Sequence, residues 1–378
     1  MTIPVRTVLV AHPDAELGDL AAGLLHSVLA LRAARCRVVV ALPSAGPLVA
    51  GLRRTGAEVL IVPMVLLRRE LRWSALVGGA PWGFVGAWRT VTRVRPDTVY
   101  VSTAAIPQWP LVARLRRIPT VSHLRAPQPT ASRMVGRLTL RAHLASRHTL
   151  VGGGADLELL RDMLPALARR AEIVPAAVPS PPSPLPPREP LEGALRILYL
   201  GPITPRRGAD LTIEAAALLC RGGRRAQVTL VGRIGTDQGW FAEQLRDQAA
   251  EAEVEVELLD AGAEAARERW DHLARADVLL VPTRHGEEDL AAVEGVLSLR
   301  PVIASDTAAL REAVGEHRTA RLVRPDDAAE IARALEHLLE HWPEIIAELP
   351  ASRDRARRRH DPDRFHAAIA RACGAPPS

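Results

Sequence analysis

Short apolar runs alternate with helical patterns along the first half of the chain. The run TVLVA (7–11) precedes LAAGLLHSVLALRAA (20–34), in which apolar residues recur at spacings of three and four. The run RVVVAL (37–42) precedes PLVAGLRRTG (47–56), a helical pattern that ends at glycine. Further apolar runs are EVLIVPM, DTVYVST, PTVSHL and HTLVG. Continuous apolar strands separated by helices predict a parallel sheet that is covered by helices on both faces.

A proline-dense stretch, VPAAVPSPPSPLPPREP (174–190), interrupts this alternation. Because proline cannot donate a ladder hydrogen bond and favours extended backbone, residues 176–192 are predicted to link two domains. The alternation then resumes, with strands LRILYLG, QVTLVG, VEVELL, DVLLVP and PVIAS and helices near 208–221, 238–252, 290–299 and 328–341. The predicted domains are residues 1–175 and 193–350. Residues 351–378 are predicted as a C-terminal helix or a pair of helices, for which a return to the first domain is one option.

The predicted fold class is therefore α/β, with two doubly wound, Rossmann-like parallel-sheet domains that face a cleft. Ligands of such sheets bind outside the carboxyl ends of the strands. This architecture suits an enzyme that presents a donor held by one domain to an acceptor held by the other.

Composition narrows the class of protein further. The chain has 378 residues, of which 48% are hydrophobic, and this is enough for two buried cores. All 49 basic residues are Arg, so any site that would ordinarily use Lys must use Arg here. The three Cys residues are widely spaced and indicate neither a disulfide framework nor a zinc motif. With no signal pattern at the N-terminus and no apolar run of about 20 residues, a cytoplasmic location is expected.

Charge is distributed unevenly between the two halves. Residues 1–192 hold 24 Arg and 12 acidic residues, a net charge of +12, whereas residues 193–378 hold 25 Arg and 31 acidic residues, a net charge of −6. The basic half also contains Trp73, Trp82, Trp88 and Trp109. This pattern favours an anionic neighbour, which could be the inner face of a membrane, a phosphate-bearing acceptor or the other domain. An ordinary solvated surface would explain the charge equally well, and core packing would explain the tryptophans. No nucleic-acid partner is expected.

Residues 11–16, AHPDAE, allow a zinc site as one interpretation. A strand followed by His-Pro-Asp-Asp-Glu resembles the zinc-dependent sugar N-deacetylases, but Ala15 stands here at the second Asp and cannot bind a metal. The pair His337 and His341, in EHLLEH, could also bind zinc, but a solvated helix face is the favoured interpretation. The deacetylase hypothesis is kept as the lesser alternative.

The segment LARADVLLVPTRHGEEDLAAVEGVLSLRPVIASDTAALREAVG (273–315) carries the strongest functional signal. It resembles the donor-site signature of the GT-B retaining glycosyltransferases, family 4. The matching positions are Pro282-Thr283 at a strand end, Glu294 at the second family Glu, Gly295 where Ala is usual, Arg300 where Gly is usual and Glu312 further on. In the family another Glu precedes Glu294 by eight positions, and that position is Gly286 here. A one-residue deletion would give the role to Glu287 or Glu288, and loss of the role is the other option.

The physical chemistry of this segment agrees with donor binding. Leu290 and Ala291 lie at the start of a predicted helix, where unpaired N–H groups and the helix dipole favour a diphosphate. The carboxylate of Glu294 can accept hydrogen bonds from two ribose hydroxyls.

A second element, ILYLGPITPRRGADLTIEAAALL (197–219), resembles the family's strand, Gly-Arg, Lys-Gly and helix. In the family that Arg and Lys clamp the donor diphosphate. Arg207 stands at the Lys position and Arg206 beside it could replace the Arg, whose position is Pro202. In VTLVGRIG (228–235), Gly232 and Arg233 are the corresponding donor-side residues.

The first half resembles the acceptor domain of the same family. Gly18 keeps the first glycine of Glu-Leu-Gly-Gly, on the donor side, and His12 is expected to line the cleft near the acceptor. VSHLRAP (121–127) resembles the family's His-x-Arg-Glu, which implies a catalytic position for His123 and an acceptor-binding role for Arg125.

The resemblance implies a glycosyltransferase that moves a sugar from a UDP- or GDP-sugar to an acceptor hydroxyl, with retention and with neither metal nor other cofactor. Polysaccharide, glycolipid and natural-product acceptors all stay open. The rival hypothesis is a degenerate GT-B protein that binds a sugar nucleotide or a partner without turnover, because several family positions differ here.

Overall fold

The computed structural model describes residues 5–16, 18–64, 73–124, 133–181, 183–235, 238–260, 265–284 and 290–375. The chain forms two compact units. Unit 1 comprises Met1–Ala177 and His360–Ser378, and unit 2 comprises Val178–Arg359.

Unit 1 contains one parallel sheet within its described residues. Its strands are β1 (Thr7–Ala11), β2 (Arg37–Leu42), β3 (Glu58–Ile61), β4 (Thr98–Val101), β5 (Thr120–Leu124), β6 (His148–Val151) and β7 (Ala171–Ile173). Its helices include α1 (Asp19–Ala33), α2 (Leu48–Arg54), α3 (Trp73–Val94), α4 (Gln108–Leu115), α5 (Arg133–Ala142), α6 (Gly154–Met163) and α7 (Pro165–Ala168). The strand order β3-β2-β1-β4-β5-β6-β7 reverses direction at β1, as in a doubly wound sheet.

Unit 2 repeats this architecture within its own described residues. Its strands are β8 (Leu195–Leu200), β9 (Ala226–Gly232), β10 (Glu255–Asp260), β11 (Val278–Val281), β12 (Val302–Ser305) and β13 (Ala320–Val323). Its helices are α8 (Ala209–Arg221), α9 (Gly239–Glu251), α10 (Ala265–Arg275), α11 (Leu290–Leu297), α12 (Ala308–Val314), α13 (Ala328–Glu340) and α14 (Trp342–Arg359). The sheet is parallel in the order β10-β9-β8-β11-β12-β13 and reverses at β8.

The apolar character of β1 explains the double layer of helices in unit 1. Val8 and Val10 pack into a core that contains residues of α1 and α2, whereas Leu9 and Ala11 pack on the opposite face with residues of α4. Successive residues of a strand point to opposite faces, so a strand buried on both sides must be apolar throughout. The predicted α/β class with two parallel-sheet domains is confirmed.

The proline-dense segment from residue 178 onward packs within unit 2. Arg188 forms an ion pair with buried Asp277 and donates hydrogen bonds to the carbonyl oxygens of Glu192 and Ala194. The indole N–H of Trp342 donates to the carbonyl oxygen of Arg188 at 3.0 Å. Residues 178–192, for which the sequence predicts a linker, are therefore grouped with unit 2.

The chain end belongs to unit 1 through α15 (Pro362–Ala372). Phe365 and Ile369 of this helix are buried in the same core as Val8 and Val10 of β1. The sequence predicts one or two helices at this end of the chain, and the structure has two, with α14 ending at Arg359 and α15 beginning at Pro362. None of the helices in the described part of the chain combines the length and apolar character that crossing a bilayer requires.

Buried His143 should make unit 1 sensitive to acid. Its Nε2–H donates to the carbonyl oxygen of Ala104 at 3.3 Å, and its Nδ1 lies 2.7 Å from the Ser122 hydroxyl. Burial lowers the pKa of His143 to about 4. Below about pH 6.5 the unfolded chain binds a proton that the folded chain does not, so the free energy of unfolding falls with pH.

We expect His143 to contribute a loss of about 2 kcal/mol in the free energy of unfolding between pH 7 and pH 4.5. Urea unfolding at the two pH values measures it in the native chain and in His143→Gln, which has no imidazole to protonate. The exposed His337→Gln is the control. An equal pH dependence in the native chain and His143→Gln would show that His143 does not carry this effect.

Candidate functional site

The carboxyl end of β8 is the point in unit 2 where the strand order reverses. The loop after β8 and the loop after its neighbour β11 leave the sheet at this point in the same direction. Open parallel sheets bind ligands at such a position, so the predicted donor residues lie where the fold favours a ligand.

Glycine brings these loops into contact. Gly208, with a φ of 73°, lies between a short 3-10 turn, Pro205–Arg207, and α8. A Cβ at Gly208 would fall closer to the carbonyl oxygen of Pro282 than any real contact allows. A Cβ at Gly232 would likewise overlap the carbonyl oxygen of Gly201. The loops after β8, β9 and β11 therefore meet at one edge of the sheet.

Arg284 holds the loop after β8 against the loop after β11. Its backbone N–H donates to the carbonyl oxygen of Arg206 at 2.9 Å. Its guanidinium binds both oxygens of Asp210, at 2.9 and 2.7 Å, and reaches Asp326 at 2.6 Å. These carboxylates raise the pKa of Arg284. Arg284 is not among the residues predicted from the sequence, although it directly follows Pro282-Thr283.

The two predicted diphosphate ligands lie in the 3-10 turn that the Arg284 contacts support. The side chain of Arg206 is exposed and that of Arg207 is half-buried. Arg233, the third predicted cation, follows β9 and is also exposed. The turn therefore gathers Arg206 and Arg207 immediately before the N-terminus of α8, where an anion would be favoured by charge and by the helix dipole.

Glu294 lies one turn into α11 and is 5% exposed. It forms an ion pair with Arg269 of α10, whose side chain is 35% exposed. Leu290 and Ala291 are the first described residues of α11 and are buried. A buried carboxylate is costly unless a cation compensates it, and Arg269 supplies that cation.

Two departures from the family pattern have structural explanations. A Cβ at Gly295 would lie 2.6 Å from the Leu279 side chain and 3.0 Å from that of Val302, so an alanine there would require the Leu279 side chain to move. Arg300 is fully buried and donates to the carbonyl oxygens of Leu273 at 2.5 Å and of Leu185 at 2.9 Å. Burial lowers the pKa of Arg300 to about 10.

In unit 1, His12 directly follows β1, the strand at which the order reverses. It is 1% exposed, and its Nδ1 lies 2.8 Å from the hydroxyl of Ser102, which follows β4. Its Nε2 lies 3.7 Å from a carboxylate oxygen of Asp14. Ser102 was not identified from the sequence, because it becomes a neighbour only when β4 pairs with β1.

These contacts do not form a zinc site of the deacetylase type. His12 and Asp14 are two candidate ligands, and adjacent Ala15 is buried and supplies none. Within the described residues, the group of three or more His, Cys, Asp or Glu side chains close enough to share a metal lies elsewhere, in unit 2.

His123 and Gly18 occupy less distinctive positions. His123 lies within β5 and is 2% exposed; its Nδ1 lies 2.6 Å from the Tyr100 hydroxyl and its ring lies 6.1 Å from Phe365. These contacts account for its burial inside unit 1, and its catalytic role stays a prediction. Gly18 is exposed at the N-cap of α1, and a Cβ there would meet nothing within 4 Å.

Some predicted positions lie outside the described residues. They are Arg125, Glu287 and Glu288. The described tryptophans of the basic half differ in environment: Trp109 is fully buried, Trp82 is 70% exposed, and Trp88 lies under the guanidinium of Arg116 at 5.1 Å from its ring centre. Core packing accounts for Trp109, and an interfacial role stays a prediction for the other two.

Comparison with known proteins places these features in a family context. Residues 194–341 match the model of the family described as Glycosyl transferases group 1. The 2-deoxystreptamine glucosyltransferase of Streptomyces kanamyceticus is 29% identical over 292 residues, which cover 75% of this chain and 69% of that protein. The D-inositol 3-phosphate glycosyltransferase of Frankia alni is 32% identical over 159 residues, or 40% of this chain and 39% of that protein.

The solved structures extend the likeness to the whole chain. A crystal structure of Anabaena HepE in complex with UDP and glucose has a TM-score of 0.77, with 16% identity over 98% of this chain and 99% of that one. The lipopolysaccharide outer core galactosyltransferase WaaB has a TM-score of 0.70, with 13% identity over 97% of this chain and 99% of that one. At these identities the likeness describes the fold, and it confirms the predicted GT-B class.

Proposed function

We propose that this chain, which matches the glycosyl transferases group 1 family over residues 194–341 and has the GT-B fold, transfers a hexose from a UDP-sugar to a hydroxyl of a polyhydroxylated ring, with retention of configuration. One observation carries this proposal. Gly208, which follows Arg207, packs against the carbonyl of Pro282 at the point where the strand order of the sheet in unit 2 reverses.

UDP is the proposed nucleotide, with GDP as the alternative. HepE, whose structure was solved with UDP, covers almost the whole chain. In the proposal, Arg206 and Arg207 bind the diphosphate, the N-terminus of α11 at Leu290 and Ala291 adds N–H donors, and Glu294 accepts the ribose hydroxyls. Gly232 and Arg233 line the donor on the β9 side.

The proposed acceptor class is a cyclitol or sugar. The relatives named above act on 2-deoxystreptamine and inositol 3-phosphate, and the alignment with the first of them is nearly twice as long as the match to the family model. His12, held by Ser102 at the carboxyl end of β1, is the proposed partner of the acceptor hydroxyl. Arg125, in the basic half, is the proposed ligand for an anionic group on the acceptor.

In the proposed reaction, the bond from the sugar C1 to the β-phosphate oxygen breaks while the acceptor oxygen bonds to C1 on the same face. The acceptor proton passes to the departing phosphate. Arg206 and Arg207 stabilise the charge that develops on this leaving group, so the proposal needs no metal for that task. The proposal also assigns Glu287 and His123 the catalytic roles that the family resemblance implies.

Loss of the Arg207 guanidinium tests the donor site. We expect Arg207→Gln to raise KM for the donor and to lower kcat/KM by about tenfold, because one charged hydrogen bond to the diphosphate is lost while Arg206 remains. Steady-state transfer from UDP-glucose and UDP-galactose to 2-deoxystreptamine or myo-inositol measures it, with GDP-sugars as the comparison.

Arg221→Gln is the matched control, since Arg221 ends α8 whereas Arg207 precedes it, and Arg221 is exposed. Equal losses in both variants would contradict a diphosphate site at Arg207. Binding of UDP without transfer or hydrolysis of any donor would favour the degenerate GT-B protein.

A further inference from the structure

We propose that His337, Glu340 and His341 form a binding site for a divalent transition-metal ion, of which Zn²⁺ is the type. The site lies at the exposed end of α13 in unit 2 and is independent of sugar transfer. The ligand atoms of the three side chains all lie within 4.8 Å of one another.

Helical geometry brings the three residues together. Residues three and four positions apart lie on the same face of a helix, so His337 is adjacent to both Glu340 and His341. The imidazole rings of His337 and His341 have centres 4.2 Å apart. The opposite face of α13 is buried, with Ile331, Leu335 and Leu338 in the core of unit 2. The core therefore fixes the helix while the three exposed side chains stay able to adjust.

The hydrogen bond of His341 identifies its ligand atom. Its Nδ1 lies 3.0 Å from the carbonyl oxygen of His337. Because a carbonyl oxygen can only accept, Nδ1 carries the proton and Nε2 presents its lone pair. Metal-binding histidines characteristically donate their second ring N–H to a carbonyl or carboxylate in this way, which orients the ring before the metal arrives.

The ligand set selects the class of ion. Two imidazoles and one carboxylate suit Zn²⁺, Ni²⁺ or Cu²⁺ and leave a position for water, whereas Ca²⁺ and Mg²⁺ require oxygen ligands. Tetrahedral zinc ligands lie about 3.4 Å apart, so a modest rotation of exposed side chains completes the site. Because His341 connects α13 to α14, a bound ion would tie the last turn of α13 to this junction.

The test uses the full chain with any affinity tag removed and ZnCl₂ alone as the probe. Calorimetric titration at neutral pH should show one ion per chain, and zinc should raise Tm because the site exists only in the folded state. His337→Gln and His341→Gln should abolish both effects. Glu340→Gln should weaken binding by about tenfold or more. Binding should also weaken in acid, because protonated imidazole cannot bind a metal.

His366→Gln is the matched control. His26 and His366 form another histidine pair, in unit 1, with Nδ1 and Nε2 3.5 Å apart. Loss of zinc binding in this control, or no binding by the native chain, would overturn the proposal. Unchanged affinity in Glu340→Gln would also overturn it, since the histidine pair alone would then account for the binding. Each substituted ligand is exposed, so Tm without zinc reports whether a variant has folded normally.

Discussion

Replacing Glu294 with Gln is expected to lower kcat/KM for the nucleotide sugar by about 100-fold. Two hydrogen bonds from ribose hydroxyls to a carboxylate are together worth about 3 kcal/mol more than those to a neutral amide, if each charged bond contributes about 1.5 kcal/mol more. The substitution also leaves the guanidinium of Arg269 facing an uncharged group, and that part of the site is largely buried. Steady-state kinetics over a range of donor concentrations and the Kd of UDP measure the effect.

Glu330→Gln controls for the loss of an ion pair in the same unit. Glu330 binds Arg324 at 2.8 Å, is 30% exposed in its side chain, and stands outside the segment that matches the donor-site signature. Both substitutions should cost some stability, but only Glu294→Gln should weaken UDP binding. Arg269→Gln keeps the Glu294 carboxylate and removes the cation that it binds. We expect this variant to lose less kcat/KM than Glu294→Gln, about tenfold. A Glu294→Gln enzyme with the native KM would remove Glu294 from the donor site.

The fold was accessible from the sequence because burial on both faces of a parallel sheet leaves a local signature. The helices predicted near 238–252, 290–299 and 328–341 occur at Gly239–Glu251, Leu290–Leu297 and Ala328–Glu340. The strand predicted in EVLIVPM ends at Ile61, two residues before Pro63, which cannot donate a ladder hydrogen bond. The packing of the proline-dense segment was not accessible, because its partners Asp277 and Trp342 are distant in sequence.

The candidate site shows the same difference between local sequence signals and contacts that only folding creates. Gly232 was recognisable because glycine after a strand marks a close approach of backbone, whereas the close approach of Gly208 to Pro282 is visible only in the fold. Arg284, Ser102 and Arg269 were missed, since each acts through a partner that folding supplies from 74, 90 and 25 positions away.

The proposed zinc ligands lie on a solvated helix face, as the sequence predicts for His337 and His341, because all three side chains are exposed. The third ligand, Glu340, stands immediately before His341 in EHLLEH, at helical spacing from His337. The information was present in the pattern, but the rotamers that bring three ligand atoms together are visible only in the structure.

Replacing Gly208 with Ala should both destabilise unit 2 and abolish donor binding. An alanine at a φ of 73° costs about 1 kcal/mol from its left-handed backbone alone. At Gly208 its Cβ must also displace the carbonyl of Pro282, which separates the loop after β8 from the loop after β11. That movement breaks the 2.9 Å hydrogen bond from the Arg284 N–H to the Arg206 carbonyl oxygen. We expect a total loss of about 3 kcal/mol in the free energy of unfolding, the usual size for a buried clash added to backbone strain.

Gly223→Ala separates the two causes in the Gly208→Ala result, because Gly223 has a φ of 85° and a Cβ there would meet nothing within 4 Å. The free energy of unfolding of Gly223→Ala should fall by only about 1 kcal/mol, from the left-handed backbone, and this variant should bind UDP like the native chain. Urea unfolding midpoints and UDP titration measure both variants. If Gly208→Ala and Gly223→Ala lose the same stability and both bind UDP, the contact between the two loops does not shape the donor site. Loss of UDP binding in Gly208→Ala alone, at a urea concentration where it is still folded, would locate the nucleotide at the edge of the sheet where Arg206 and Arg207 lie.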